Sequence, residues 1–204
     1  MKAIAEGAGA IHLDDPLPTT LNRVADALGK RVGDLVVASL NRPRHAEMIA
    51  AVRRAGAALR LASDGDVNLA VAPSLPDCGV DLFVGIGGSP EGVLAAAALK
   101  ALGGDMLLRM WPRDDEERGR LLREMDETEL SRVYRVGDLV TGDSALFCAT
   151  GISDSALVPG VKLVGRKAVT HSILMRARSR TVRYIRAVHD LDFKVIHLKT
   201  PSRL

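Results

Sequence analysis

Three short polar clusters hold the residues of this chain best suited to chemistry. Arg42-Pro43-Arg44 sets two guanidinium groups either side of a proline that restrains both the loop and the residue before it. The planar guanidinium fork suits phosphate oxygens. Asp64-Gly65-Asp66 presents two carboxylates from one tight turn, able to accept hydrogen bonds from sugar hydroxyls or to ligate a hard cation. Gly85-Ile86-Gly87-Gly88-Ser89-Pro90-Glu91 leads from an apolar strand through adjacent glycines into an alanine-rich helix, whose free backbone N–H groups suit an anion. Each cluster has a plainer reading when taken alone. Arg42 and Arg44 would serve as solvated loop cations, Asp66 as a helix N-cap, and Glu91 as a first-turn acid favoured by the helix dipole. Their recurrence at three successive strand ends points to a site.

Several familiar chemistries are excluded. The GxGxxG pattern begun at Gly85 fails because Pro90 occupies the third glycine position, and no GxxxxGK[ST] phosphate loop occurs. Without a GxSxG elbow, Ser89 has little claim as a nucleophile. The five histidines show no HExxH spacing, so His45, His171 and His189 read as polar loop or core residues. Cys78 and Cys148 stand apart without metal or redox spacing, and read as two small core hydrophobes in a reducing compartment. No catalytic residue is identifiable.

The elements that must position the clusters follow from periodicity and punctuation. Residues Met1 to Leu13 read as an ambiguous, extended lead-in. Pro16 to Thr20 opens a helix with Leu21, Val24, Ala25 and Leu28 at helical spacing, closed by Gly29. Strands are predicted over Asp34–Leu40, Ala58–Ala62, the run ending at Val84, and Asp105–Met110. Helices are predicted over His45–Ala55, from Val67, and from the Gly87-Gly88 turn to Gly103-Gly104. Asp114 to Tyr134 reads as a charged surface helix or helix pair. Alternating strands and helices predict a parallel α/β sheet with right-handed crossovers. In such a sheet ligands bind outside the carboxyl ends of the strands, where the three clusters would share a rim. After Gly137-Asp138 the style becomes antiparallel, with strands over Ser144–Thr150, Ala168–Ala177 and Thr181–Val188. Arg176, Arg178 and Arg180 alternate there, and are expected on one face or edge. The fold class is therefore layered α/β: a mostly parallel sheet with flanking helices, then a more antiparallel C-terminal section, in one domain over 1–204.

Composition bounds the function. The chain has 204 residues and a formal net charge of +3, too little to imply a nucleic-acid partner by itself. Acids outnumber bases between Arg113 and Glu129, whereas Ser155 to His189 contains no acid. Only Tyr184 offers aromatic stacking in that basic stretch, which fits a solvated face or subunit contact better than nucleic acid. No apolar signal core begins the chain, and Lys100 interrupts the longest apolar run. A soluble, cytoplasmic protein without membrane contact is expected.

Taken in order, these segments resemble the C-terminal part of class II fructose-1,6-bisphosphatases, the bacterial type that includes dual fructose/sedoheptulose bisphosphatases. The resemblance rests on the region from Pro16 to Val24, Arg42-Pro43-Arg44-His45, Asp64-Gly65-Asp66 and Gly85 to Val93. It continues through Gly137-Asp138-Leu139, Ala149-Thr150-Gly151-Ile152 and Arg178 to Arg183. It implies a sugar-phosphatase-like fold and a metal-dependent hydrolase of carbohydrate metabolism and gluconeogenesis. The substrate implied is fructose 1,6-bisphosphate or a related sugar bisphosphate, the cofactor Mn2+ or Mg2+, and the assembly a homo-oligomer. By resemblance Arg42, Pro43, Arg44, Asp64, Gly65, Asp66 and Gly88 bind substrate, and Glu91 is a metal ligand. The family's Asp-Pro-Ile-Glu-Gly-Thr metal motif does not occur in the chain. A truncated or split member is therefore expected, inactive or incomplete in isolation, its N-terminal half absent or supplied by a separate chain. The alternative is a non-catalytic sugar-phosphate-binding or regulatory remnant.

Overall fold

Two sheets enclose a layer of alanine-rich helix, and a second helical layer covers the far side of the first sheet. The computed structural model describes residues 1–4 and 8–193. In chain order the first half comprises β1 (Lys2–Ile4), α1 (Leu17–Leu28), β2 (Val36–Leu40), α2 (Ala46–Arg54), β3 (Ala58–Ala62), α3 (Asp66–Val71), β4 (Leu82–Val84), α4 (Ser89–Leu102) and β5 (Asp105–Leu107). Short helices α5 (Asp115–Leu121), α6 (Glu127–Ser131) and α7 (Val136–Leu139) follow. Strands β6 (Leu146–Thr150), β7 (Lys162–Val164), β8 (Lys167–Arg176) and β9 (Thr181–Asp190) complete the described chain.

The first sheet has the order β3-β2-β4-β1-β5. Strand β2 runs parallel to both β3 and β4, whereas β1 lies antiparallel between β4 and β5. This bears out the mostly parallel sheet. Side chains alternate between two cores, as the pleat requires. Ala38, Leu40, Phe83 and Met106 face α3 and α4, while Val37, Leu82, Val84 and Leu107 face α1 and α2. The step from β2 to β3 uses α2 on one face. The return from β3 to β4 reverses direction and uses α3 on the other face. A constant crossover hand demands that switch.

Within the ambiguous, extended lead-in, Lys2–Ile4 form strand β1. Its three residues are too few to show a period, yet Ala3 is fully buried between β4 and β5. Lys2 is buried beside it, and its ammonium donates to the His12 carbonyl at 2.9 Å, the Asp15 carbonyl at 3.0 Å and Thr20 Oγ1 at 2.7 Å. Burial holds its pKa below the ordinary lysine value, with Asp15 and Asp14 opposing the shift. The rest of the lead-in over residues 5–7 lies outside the described residues.

Helix α4 explains its own composition. Ala95, Ala96 and Leu99 pack on the first sheet, while Ala98 and Ala101 pack with Phe147, Ile173 and Met175 of the second. A helix buried on opposite sides between two sheets cannot carry a polar face, and alanine lets both sheets approach closely. Gly103 ends it in the left-handed region at φ 84°, as Gly29 ends α1 at φ 62°.

The charged segment after Arg113 resolves into α5 and α6. Their N-caps, Asp114 and Asp126, each accept the backbone N–H three residues on, from Glu117 and Glu129, at 2.8 Å. In the second sheet β6, β7 and β9 all pair antiparallel with β8, as expected of the C-terminal section. Two details differ from expectation. Strand β8 ends at Arg176, so Arg178 lies in a 3-10 turn and Arg180 closes it at φ 46°; the three arginines do not alternate along one strand. Cys148 is exposed on β6 and so is not a core residue, whereas Cys78 is half-buried and packs against the core. Among the described residues no helix is long and apolar enough to cross a membrane.

Candidate functional site

Adjacent parallel strands β2 and β4 send their chains to opposite faces of the sheet, β2 into α2 and β4 into α4. Between two such exits a crevice opens at the strands' carboxyl ends, the place where open α/β sheets bind ligands. A cavity of about 580 Å³ lies there. Its walls include Lys2, Arg44, Asp66, the 85–89 turn, Glu91, Gly92, Arg109, Trp111 and Arg113. The three polar clusters do meet on one rim, through contacts between loops 20 and more residues apart.

Arg44 is the bridge from the first loop to the third. Its guanidinium donates to the Ile86 carbonyl from Nε at 3.1 Å and from a terminal nitrogen at 2.8 Å. No carboxylate pairs with it among the described residues. Its charge is therefore open to an anion. Arg42 instead forms an ion pair with Asp64 on the exposed surface. Neither of these lines the cavity, nor do Pro43 and Gly65. Their proximity closes the first loop against the second.

Asp66 does not cap α3. The N-cap is Gly65 at φ 88°, a conformation that disfavours any side chain, and Asp66 begins the helix. One Asp66 oxygen accepts the Val67 N–H at 3.0 Å. The other lies against the Gly87 α-carbon, where a Cβ would collide with it. Likewise, the Glu91 carboxylate curls back over the α-carbon of Gly88. Gly88 has ordinary extended dihedrals, φ −76° and ψ 155°. Its glycine is thus explained by space for Glu91 rather than by backbone strain. Among the described residues Ser89 Oγ approaches only Met110 Sδ, at 3.7 Å, and no base activates it.

The residue that sequence reasoning set aside is His45. It is 1% exposed beneath the rim. Nδ1 lies 2.8 Å from the Leu40 carbonyl oxygen, which can only accept, so Nδ1 carries the proton. Nε2 is then the acceptor of the Ile86 N–H at 2.9 Å. Arg44 and His45 together hold the C=O and the N–H of one peptide residue 41 and 42 positions away. No sequence spacing signals that pairing. Trp111, half exposed on the same cavity, and Arg109, tied to Asp14, were also missed.

Metal ligation is tested by the donors present. Asp66, Glu91 and Glu117 are the acids on the cavity wall, and Glu117 is committed to Arg113. Among the described residues no three His, Cys, Asp or Glu side chains come together to hold a metal ion. Glu91 supplies one oxygen donor group and does not by itself complete a divalent-cation site.

A layered α/β protein with a polar crevice at the carboxyl ends of its parallel strands is the class this fold and site define. Residues 1–189 match the family of bacterial, glpX-encoded fructose-1,6-bisphosphatases, and the chain belongs to that family. It is 41% identical over 203 residues to the class 2 fructose-1,6-bisphosphatase of Haemophilus influenzae, covering 93% of this chain and 61% of that protein. To fructose-1,6-bisphosphatase 1 class 2 of Escherichia coli K12 it is 40% identical over 201 residues, covering 91% and 59%. The chain thus spans about three fifths of the length of these relatives.

Proposed function

We propose that this chain forms the sugar-bisphosphate wall of a class 2 fructose-1,6-bisphosphatase, an enzyme hydrolysing the 1-phosphate of fructose 1,6-bisphosphate in gluconeogenesis. The carrying observation is the meeting of Arg44, Asp66, Gly88 and Glu91 on one cavity where β2 and β4 diverge. Arg44, unpaired with any described acid, takes a phosphate oxygen. Asp66 accepts from a sugar hydroxyl, and the amides of the 87–88 turn face the ester. Arg42, Pro43, Asp64 and Gly65 support this wall from the neighbouring loops through the Arg42–Asp64 pair.

Glu91 would be one ligand of a Mn2+ or Mg2+ ion. Metal-assisted phosphate hydrolysis needs several carboxylates to hold cations and orient water. The remaining ligands would come from a separate N-terminal half. The same reading carries a cytoplasmic location and a homo-oligomeric assembly. Exposed Leu163, Tyr184, Ile185 and Val188 on the second sheet support self-association, which sedimentation velocity tests.

Phosphate release should be measured for the chain alone and mixed with the N-terminal half of a class 2 relative, with Mn2+ or Mg2+ added. Release in the mixture is expected. The lack of a described metal cluster favours a second reading, a sugar-phosphate-binding chain without hydrolysis. Calorimetric binding of fructose 1,6-bisphosphate with no release in the mixture selects that reading. Absence of both overturns the sugar-phosphate site.

A further inference from the structure

We infer that His45 is a positioning residue for ligand recognition, clamping the Ile86 peptide so that the Gly85–Gly88 turn and the Arg44 guanidinium are held in register. The inference rests on the sugar-phosphate reading of this cavity and adds a residue to it. The glycine turn needs such a clamp. With glycines at 85, 87 and 88 it has little intrinsic preference for one conformation. Along its length, β4 offers ladder bonds only as far as Gly85, which exchanges two backbone hydrogen bonds with Met1 at 2.9 and 3.0 Å. Beyond that point Ile86 has left the ladder, and its N–H and C=O are taken by consecutive side chains of the β2 loop.

The two contacts have different characters. Arg44 lies on the cavity and its charge is shared with whatever binds there. His45 lies beneath, at 1% exposure, with both ring nitrogens engaged. Its Leu40 contact fixes the ring to the end of β2, and Ser39 Oγ stands 3.5 Å from the same nitrogen. The imidazole is thus a rigid strut between the carboxyl ends of β2 and β4, the strands that bound the crevice. Losing the Nε2 acceptor leaves the half-buried Ile86 N–H without that partner and loosens the residue whose carbonyl anchors Arg44.

Two near-isosteric variants separate the strut from simple core filling. In His45→Gln the side-chain carbonyl reaches the Nε2 position and can accept from Ile86. In His45→Asn the amide matches Nδ1, keeps the Leu40 contact and does not reach Ile86. Amide exchange at Ile86 should accelerate about tenfold in the Asn variant and stay near wild type in the Gln variant, as one lost hydrogen bond implies. The calorimetric Kd for fructose 1,6-bisphosphate should weaken about tenfold for Asn and less than about threefold for Gln.

Equal affinities in both variants, with wild-type binding intact, overturn the positioning role and leave the sugar-phosphate reading standing. No binding by the wild type overturns that reading, and Ile86 exchange then decides the clamp on its own. If His45→Asn does not fold, the imidazole 15N spectrum of the wild type serves. Protonated Nδ1 and unprotonated, hydrogen-bonded Nε2 are expected, and the opposite tautomer overturns the clamp.

Discussion

Arg44, Asp66, Gly87, Gly88 and Glu91 meet on one cavity, where the two glycines leave room for the two carboxylates. Removing the guanidinium tests the phosphate role most directly. Arg44→Ala should weaken fructose 1,6-bisphosphate binding about ten- to a hundredfold, the size of one charge-assisted hydrogen bond, by calorimetry. An unchanged Kd removes Arg44 from the site. The glycines give a complementary test. In Gly87→Ala the new methyl group meets the Asp66 carboxylate, the movable end of a side chain. Stability in urea should therefore change by less than about 0.5 kcal/mol. Sugar-bisphosphate affinity should nevertheless fall, because Asp66 is displaced from its place on the wall. A large stability loss with unchanged affinity would mean that Gly87 serves the fold alone.

At the level of elements, α4 connects the site to the rest of the molecule. Its first turn carries Glu91, and its middle is clasped between two sheets. Ala98, fully buried among Phe147, Ile173 and Met175, has no room for a larger side chain. Ala98→Leu should cost about 1–3 kcal/mol by overpacking. Leu94 on the same helix is 52% exposed, and Leu94→Lys should stay within about 0.5 kcal/mol. Equal urea midpoints for the two variants would refute the sandwiched helix. The sequence made α4 easy to find, since a proline near its start and glycines after its end punctuate an apolar run. It could not show that two different sheets bury the helix. Strand β7 was missed for the opposite reason: its three residues are all exposed and have no period to read. The same shortness hid β1.

Across the whole molecule, loops are tied down by ion pairs on the surface. Asp14 is held below the ordinary carboxylate pKa by its hydrogen bonds from Arg109, Asp34 by Arg31 and Glu117 by Arg113. Asp138 is lowered first by the Arg135 backbone N–H, with burial opposing and Arg132 assisting. A carboxylate whose folded pKa is depressed stabilises the fold above its unfolded pKa. That stabilisation is lost as pH falls through the folded value. The carboxylate contribution to the urea midpoint should therefore be level from neutrality to about pH 5 and fall below about pH 4, where the unfolded chain takes up protons first; the buried Met1 amine, lowered to about 6, adds a separate loss as pH falls from about 8 to 6. Because the pairs are exposed, the slope should be shallow and flatten in high salt. A midpoint that rises on acidification contradicts this.

The local chemistry was legible without coordinates. Guanidinium, carboxylate and glycine clusters at three strand ends can be recognised because turns, caps and strand periods depend on near neighbours in the chain. The mostly parallel first sheet and antiparallel second sheet were legible for the same reason. Which of those residues face a common cavity was decided only by tertiary structure. Arg44 turned toward Ile86 while Arg42 turned to Asp64, though the two arginines are separated only by Pro43. His45, unremarkable in sequence, became the strut beneath the site because β2 and β4 lie side by side. Adjacency in a sheet depends on strand order, and strand order depends on how distant apolar faces pack. No local pattern of residues encodes it.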